Sequence, residues 1–128
     1  MNTKTITIML SQLQRISLQH KLLLSVTFST SCIEILNLLY KLNIIKFFYI
    51  SNTPKKEIII GLNKHCIKKI INFNKKKFNK SLSYIKIKKK FNNIPSQYTI
   101  FSTTRGLLLL DDIFFYKIGG YPLFQIII

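Results

Sequence analysis

The chain has 128 residues, 48% of them hydrophobic, and a formal charge of +16 with an isoelectric point near 10.1. This length suits one small fold or two half-size lobes, and this hydrophobic content excludes a disordered tail. The basic charge predicts a polyanionic partner and is concentrated in the middle of the chain, because residues 51–100 hold thirteen lysines against one glutamate. The near-neutral residues 101–128 must therefore recognise a partner by shape and hydrogen bonds.

Hydrophobic periodicity predicts an N-terminal lobe over residues 1–62 with the element order αβαββ. The helices show apolar residues at three- and four-residue steps, and the strands are short runs of apolar and β-branched residues. Ser29 or Thr30 is expected to cap the second helix, and Asn43, which tolerates the left-handed conformation, is expected to end it. The predicted elements are, in chain order, helix Thr5–Leu18, strand Leu22–Phe28, helix from Ser29 or Thr30 to Asn43, strand Phe47–Ile50 and strand Glu57–Leu62.

Residues 63–128 are predicted to form a second lobe that is mostly β structure with one short helix. A basic loop is expected over residues 72–79. Tyr84–Lys88 alternates between apolar residues and lysines. This alternation is typical of a strand that has its isoleucines on one face and Lys86 and Lys88 on the other.

A run of hydrogen-bonding side chains, Ser102-Thr103-Thr104-Arg105-Gly106, follows the predicted strand Tyr98–Phe101. Asp111-Asp112 then opens a short helical pattern, and Gly119-Gly120 is expected to end that helix with a left-handed residue. The polar run is therefore predicted to be a loop between a strand and a helix. Such a loop can bind the backbone and base edges of a folded RNA. The alternative is an ordinary Ser/Thr turn that caps the helix.

The predicted short helix carries Ile113, Phe114, Phe115 and Tyr116 in succession. Consecutive helical residues point in different directions, so one sheet cannot bury all four side chains. Exposed aromatic residues of this size normally mark a contact with another macromolecule. We therefore expect Phe114 or Tyr116 to contact a neighbouring protein or RNA.

The inventory of reactive side chains argues against catalysis and against any cofactor. Asp111-Asp112 are adjacent, so on a helix they point about 100° apart and do not form an acid–base pair. His65-Cys66 could form half a metal site, but Cys32 and His20 stand at no ligand spacing from it. A Cys32–Cys66 disulfide is not expected in a reducing compartment.

The lysines of the middle segment are denser than solubility requires, which favours phosphate contact over a merely solvated face. Aromatic residues are interleaved with them, and of these Tyr84 and Phe91 are either core residues or base-stacking residues. Two other kinds of protein remain as alternatives, a generic basic nucleic-acid binder and a membrane-surface protein. The second would carry its lysines along an amphipathic helix, whereas here they are predicted on loops and a strand.

The polar run and its surroundings resemble the C-terminal signature of the family of small-subunit ribosomal protein eight, bacterial and organellar type. That family has a Ser-Thr-Ser-Lys-Gly loop, a short helix, a Gly-Gly pair and a final apolar strand. Here Ser102–Gly106, Gly119-Gly120 and Leu123–Ile128 stand at the same spacing. The N-terminal agreement is carried without a gap by Met9-Leu10, Leu13, Lys21, Ile35, Asn37, Leu39 and Ile45.

The resemblance implies an α+β protein of two lobes that is a structural constituent of the small ribosomal subunit. Such proteins bind the central domain of the small-subunit ribosomal RNA and support platform assembly and translation, without catalysis. Neighbouring small-subunit proteins five, twelve and seventeen are the protein partners that it implies. The RNA-binding residues expected from the resemblance and from the basic segments are Ser102, Thr103, Thr104, Arg105, Gly106, Lys21, Arg15, Lys86, Lys88 and Tyr84.

The chain departs from the family pattern at the end of its first helix, and its amino-acid composition is biased. The family's first helix ends in Thr-Arg-Ile-Arg, where this chain has Ser11-Gln12-Leu13-Gln14 followed by Arg15, so fewer phosphate contacts are expected there. Ile, Lys, Asn and Phe abound and Ala is absent, which indicates an A/T-rich genome, either that of an organelle or that of a free-living A/T-rich microbe. No Arg- and Ser-rich leader precedes Met9-Leu10. We therefore expect an organelle-encoded protein of the mitochondrial matrix and its ribosome.

Overall fold

The computed structural model describes residues 3–52, 54–63, 67–73, 81–92 and 94–128. The chain divides into two compact units, Met1–Lys68 (unit 1) and Lys69–Ile128 (unit 2). Each unit combines helices with an antiparallel sheet, so the α+β prediction is confirmed. Unit 1 thus extends beyond residue 62, the predicted end of the N-terminal lobe, and within it the Ser17 hydroxyl donates a hydrogen bond to the carbonyl of the buried Ile67 at 2.9 Å.

Unit 1 has the predicted αβαββ order. Its elements are α1 (Thr3–Leu18), β1 (Leu23–Thr27), α2 (Thr30–Lys41), β2 (Ile45–Ser51) and β3 (Glu57–Leu62). The three strands are antiparallel in the order β1-β3-β2. The two helices bury one apolar stripe each against one face of this sheet, as their spacing requires. The core residues are Ile6, Met9, Leu10, Leu13, Ile35, Leu36, Leu39, Leu24, Val26, Ile58 and Ile60.

Both helices of unit 1 end in the same way, with a left-handed residue. Asn43 has φ 60°, as the sequence predicted, and the N–H of Ile44 donates to the carbonyl of Leu39. The left-handed residue and this hydrogen bond belong to a Schellman motif, which satisfies the last carbonyls of a helix. At the other end of α2, Ser29 occupies the expected N-cap position in extended backbone, but its side chain makes no capping bond.

Unit 2 contains four strands and two short helices among its described residues. They are β4 (Lys69–Asn72), α3 (Tyr84–Lys90), β5 (Gln97–Thr103), β6 (Gly106–Leu109), α4 (Leu110–Tyr116) and β7 (Tyr121–Ile127). The strands form one antiparallel sheet in the order β4-β7-β5-β6. A buried cluster joins both helices to this sheet and consists of Leu82, Ile87, Phe101, Leu110 and Ile113. Most of the predicted basic loop lies outside the described residues.

The strand predicted over Tyr84–Lys88 is wrong, because this segment is the helix α3. Ser83 precedes it in extended backbone, and its hydroxyl accepts a bond of 3.4 Å from the N–H of Lys86. Ile87 is completely buried, whereas Ile85 is 68% exposed, so the two isoleucines do not share a face. A two-residue alternation over five residues cannot exclude a helix when a capping serine precedes it and lysine, a good helix former, fills it.

None of the described helices combines the length and the apolar character that crossing a membrane requires.

Candidate nucleic-acid interface

The polar run of unit 2 is a β-hairpin and not the predicted loop between a strand and a helix. Ser102 and Thr103 are the last residues of β5, and Gly106 is the first of β6, so only Thr104 and Arg105 form the tip. Thr103 stands opposite Gly106 across the hairpin. Antiparallel pairing on both sides fixes the strand that carries the run, because Ser102 lies opposite Leu107 in β6 and Tyr121 in β7.

The hydroxyl of Thr103 stabilises this turn from inside. It accepts a hydrogen bond from the N–H of Arg105 at 3.1 Å and donates one to the carbonyl of Gly106 at 2.8 Å. Gly106 has φ +98°, and a Cβ there would meet nothing within 4 Å, so the turn needs glycine for its backbone conformation and not for space. Thr103 therefore shapes the loop, and its only hydroxyl proton is already donated.

Thr104 presents the remaining hydroxyl of the tip to solvent. Its side chain is exposed and makes no hydrogen bond within the described part of the chain. A hydroxyl in this position can donate one hydrogen bond and accept others from a partner. Two adjacent threonines thus have different roles, one internal and one available for recognition.

Arg105 does not extend freely into solvent. The central carbon of its guanidinium lies 4.3 Å above the centre of the Tyr116 ring, on the last residue of α4. Tyr116 in turn meets the edge of Phe115, with ring centres 5.1 Å apart and planes at 85°. A stacked guanidinium keeps its in-plane N–H donors, so Arg105 is held in place and can still make a two-pronged contact with a phosphate or a guanine edge.

The aromatic run of α4 is only partly buried. Ile113 is completely buried and Phe114 is half-buried against the same core cluster, whereas Tyr116 is 42% and Phe115 78% exposed. The prediction that Phe114 or Tyr116 contacts another macromolecule stays a prediction, although Phe115 is the more exposed ring.

The glycine pair does not end α4, contrary to the sequence prediction. The helix ends at Tyr116, and the next residue, Lys117, is its left-handed cap with φ 56°. Gly120 and Leu82 exchange two backbone hydrogen bonds, at 2.9 and 3.0 Å. A Cβ on Gly119 would overlap the Leu82 carbonyl oxygen, and a Cβ on Gly120 would lie 2.8 Å from the Ser102 carbonyl oxygen. The pair therefore lets its own backbone lie close both to Leu82, which precedes α3, and to Ser102 in the strand of the hairpin.

The helix α3 contributes lysines to this part of unit 2. Lys86, Lys88, Lys89 and Lys90 are all exposed. On a helix Lys86 shares a side with Lys89 and Lys90, while Lys88 points elsewhere, so the predicted pairing of Lys86 with Lys88 on one face is wrong. Three of these lysines lie in the last turn, where they also favour the helix by offsetting its dipole.

Tyr84, at the start of α3, is a packing residue in this structure. Its side chain is half-buried, and its ring lies 6.4 Å from that of Phe114 at a tilt of 33°. Phe91 likewise meets the ring of the buried Phe101 edge-on at 5.2 Å. Of the two readings that the sequence left open for these aromatics, core packing describes their contacts better.

The two remaining predicted RNA contacts belong to unit 1. Arg15 is exposed in the last turn of α1, and Lys21 is exposed just after it. His20, with φ 59°, ends the helix, and the N–H of Lys21 donates to the carbonyl of Ile16 at 3.1 Å. The Schellman motif therefore fixes the backbone from which Lys21 projects.

Unit 2 holds the other eight predicted residues, on the hairpin and on α3. Sequence reasoning missed three features there: the Tyr116 stack, the internal role of Thr103, and the alignment of Lys86 with Lys89 and Lys90. Only the last had a usable signal, namely Ser83 as a cap before a lysine-rich segment.

The cysteine and histidine candidates do not form a described site. Among the described residues no three His, Cys, Asp or Glu side chains are grouped as metal ligands, and His65 and Cys66 lie outside those residues. Cys32 is a free, buried thiol. Burial raises the pKa of this thiol, and a hydrogen bond with Ser29 offsets part of that rise.

The chain matches no protein-family model and no curated protein.

Proposed function

We propose that this chain is a non-catalytic RNA-binding protein that recognises a folded RNA through the hairpin tip of unit 2. The particular role we propose is that of a structural constituent of the small ribosomal subunit. In this role it binds the central domain of small-subunit ribosomal RNA and supports platform assembly and translation. The proposal takes its RNA from the resemblance to the family of small-subunit ribosomal protein eight. The composition supports a mitochondrial ribosome and an organelle-encoded protein.

One observation carries this proposal: the hairpin tip is held in one shape while its recognition groups remain available. Thr103 closes the turn and Tyr116 supports the guanidinium of Arg105. Because these groups are ordered before binding, little conformational entropy remains to be lost when RNA docks. The Thr104 hydroxyl, the backbone of the tip and the Arg105 N–H groups can then fit one irregular RNA shape.

The basic residues supply the affinity in this mechanism. Unit 2 contains eleven Lys or Arg and two Asp, and four of its lysines are exposed on α3. Each phosphate that a lysine neutralises releases condensed counterions, which favours binding at low salt and carries no sequence information. The hairpin is therefore assigned specificity and the lysines of α3 are assigned affinity.

The membrane-surface alternative needs a new test, because the lysines of residues 86–90 lie on a helix after all. A helix that lies on a membrane presents a broad apolar face to the lipid. In α3 the inward isoleucine, Ile87, is buried in the core of its own unit, and Ile85 is its one exposed isoleucine. This face is too small for lipid binding, which favours RNA as the polyanion.

Titration of the protein against three partners tests the proposal. They are a transcript of the central domain of small-subunit ribosomal RNA, an equally long transcript of another domain, and anionic vesicles. We expect saturable binding of one protein per central-domain transcript, with much weaker binding to the other two. Equal affinity for both transcripts would support a generic nucleic-acid binder instead. Preference for the vesicles would support a membrane-surface protein.

A further inference from the structure

Unit 1 has a sheet face that its own helices do not cover. Along each strand alternate residues turn away from α1 and α2, and together they form what we call the open face. Pairing places them in three rows: Leu23, Gly61 and Phe47; Ser25, Ile59 and Tyr49; Thr27, Glu57 and Ser51. The first two rows carry exposed apolar side chains, and the third is polar.

Two aromatic rings dominate the open face. Phe47 and Tyr49 are alternate residues of β2, with ring centres 6.2 Å apart and planes within 19° of parallel. Their exposed fractions are 38% and 54%, and Leu23 beside them is 61% exposed. The exposure of this much apolar surface to water is unfavourable, and a partner that covered the rings would remove that cost.

The neighbour of Phe47 explains how its ring is oriented. A Cβ on Gly61, directly opposite in β3, would overlap three atoms of the Phe47 ring. The ring therefore lies across the glycine, close to the backbone, and turns its other π-face outward. A ring laid flat on a sheet is the geometry in which single-stranded nucleic acids stack their bases on β-sheet modules.

The size and charge of the open face favour a nucleobase over a protein. A stable protein interface buries about 800 Å² on each side, and here it would have to cover the polar row as well. Glu57 of that row already accepts a hydrogen bond of 2.7 Å from the hydroxyl of Ser25, which stands in the next row. Glu57 stands two rows from Gly61, about 13 Å along the strand, so its charge is distant from the Phe47 ring.

Two exposed lysines stand close in the chain to the apolar end of the open face. Lys46 directly precedes Phe47, Lys21 stands two residues before Leu23, and both are exposed. Residues 1–68 contain nine Lys or Arg against two Glu. Phosphates that flank a stacked base would thus meet positive charge, as in other grooves that bind single strands.

We propose that the open face is a second RNA-binding site, on which an unpaired nucleobase stacks against Phe47 and Tyr49 while Lys21 and Lys46 neutralise the adjacent phosphates. This site takes single-stranded RNA, unlike the hairpin of unit 2, and it does not depend on the hairpin's function.

Short single-stranded RNAs that contain 2-aminopurine test the site, because this base loses fluorescence when it stacks and the chain contains no tryptophan to interfere. The double variant Phe47→Leu, Tyr49→Leu keeps apolar side chains but removes both π-faces. We expect quenching by the unaltered protein, and affinity at least fivefold weaker for each ring removed. Tyr49→Leu alone is the second variant if the double one unfolds, since Tyr49 is the more exposed ring.

Tyr40→Leu is the matched control, because Tyr40 is a similarly exposed aromatic residue of the same unit, on α2. The proposal is overturned if this control weakens the affinity for the oligonucleotide as much as Tyr49→Leu does, or if neither substitution changes that affinity. It is also overturned if the protein self-associates through β2 and the oligonucleotide does not compete. Binding of the central-domain transcript, measured with the same variants, reports the hairpin separately.

Discussion

Thr103 and Thr104 of the hairpin give the sharpest test of the mechanism, because the same substitution should lower the stability of the fold at one position and the affinity for RNA at the other. Thr103→Val keeps the branched shape of the side chain and removes the hydroxyl that bonds to the N–H of Arg105 and the carbonyl of Gly106. Each hydrogen bond contributes roughly 1 kcal/mol, and solvent partly replaces them at this site. We expect the free energy of unfolding to fall by about 1–2 kcal/mol.

Thr104→Val removes a hydroxyl that stabilises nothing within the described chain. The free energy of unfolding should therefore stay within about 0.5 kcal/mol of the original. If the hydroxyl binds RNA, a polar group of the RNA is left unpaired, and the affinity for the cognate transcript should weaken by about 1–3 kcal/mol. That loss should be confined to the cognate RNA and should hardly depend on salt.

Urea denaturation measures the first effect, with an unchanged m-value as the sign that only stability has altered. Titrations with cognate and unrelated RNA at several salt concentrations measure the second. If Thr104→Val weakens the binding of every RNA equally, or of none, the tip is only a turn and the assignment of specificity to it is wrong. If Thr104→Val destabilises the fold as much as Thr103→Val, the division of roles is wrong.

Three further predictions concern the lysine helix, the glycines and the buried thiol. Lys88→Ala should weaken binding to cognate and unrelated RNA alike and lower the slope of log affinity against log salt by roughly 0.7–0.9, whereas an unchanged slope would exclude a phosphate contact. Gly119→Ala should lower the free energy of unfolding by about 2 kcal/mol or more in thermal or urea unfolding, because its Cβ displaces the Leu82 carbonyl. Gly106→Ala is the control, because it costs about 1–2 kcal/mol of backbone strain alone. A smaller loss for Gly119→Ala than for Gly106→Ala would contradict the close approach of Gly119 to Leu82. Because burial raises the pKa of Cys32 in the folded protein, the stability that its protonated thiol contributes is complete below the ordinary thiol pKa of about 8.5 and is lost as pH rises through the folded pKa. Cys32→Ala, in a chain that also carries Cys66→Ser, should remove this part of the pH dependence of stability.

The order of elements in unit 1 was predictable because its signals are local and long. The helix α1 repeats its apolar stripe over four turns, and Asn43 marks a helix end by a conformation that few other residues tolerate. The bounds of β3 were also predicted, since Glu57–Leu62 is a single apolar run after a turn. In such segments the local pattern and the tertiary packing favour the same structure.

The prediction failed in unit 2 where pairing across the sheet decides the structure. Leu107 to Leu109 could open a helix or form a strand, and only pairing with β5 makes them β6. The left-handed end of α4 falls on Lys117, a residue type that gives no signal of it, while Gly119 is needed for contact with a distant segment. The hairpin residues were thus located from sequence, but their roles required the structure.

Site-specific crosslinking from the hairpin tip tests the central proposal most directly. A photoreactive residue in place of Thr104 would be activated in isolated ribosomal particles, with the same residue in place of Ile8, an exposed position on α1, as the control. The proposal predicts crosslinks from position 104 to one internal helix of the central domain of small-subunit ribosomal RNA, at a site that position 8 does not reach. Crosslinks from position 104 that scatter over unrelated RNA, or that fall mainly on lipid, would contradict it.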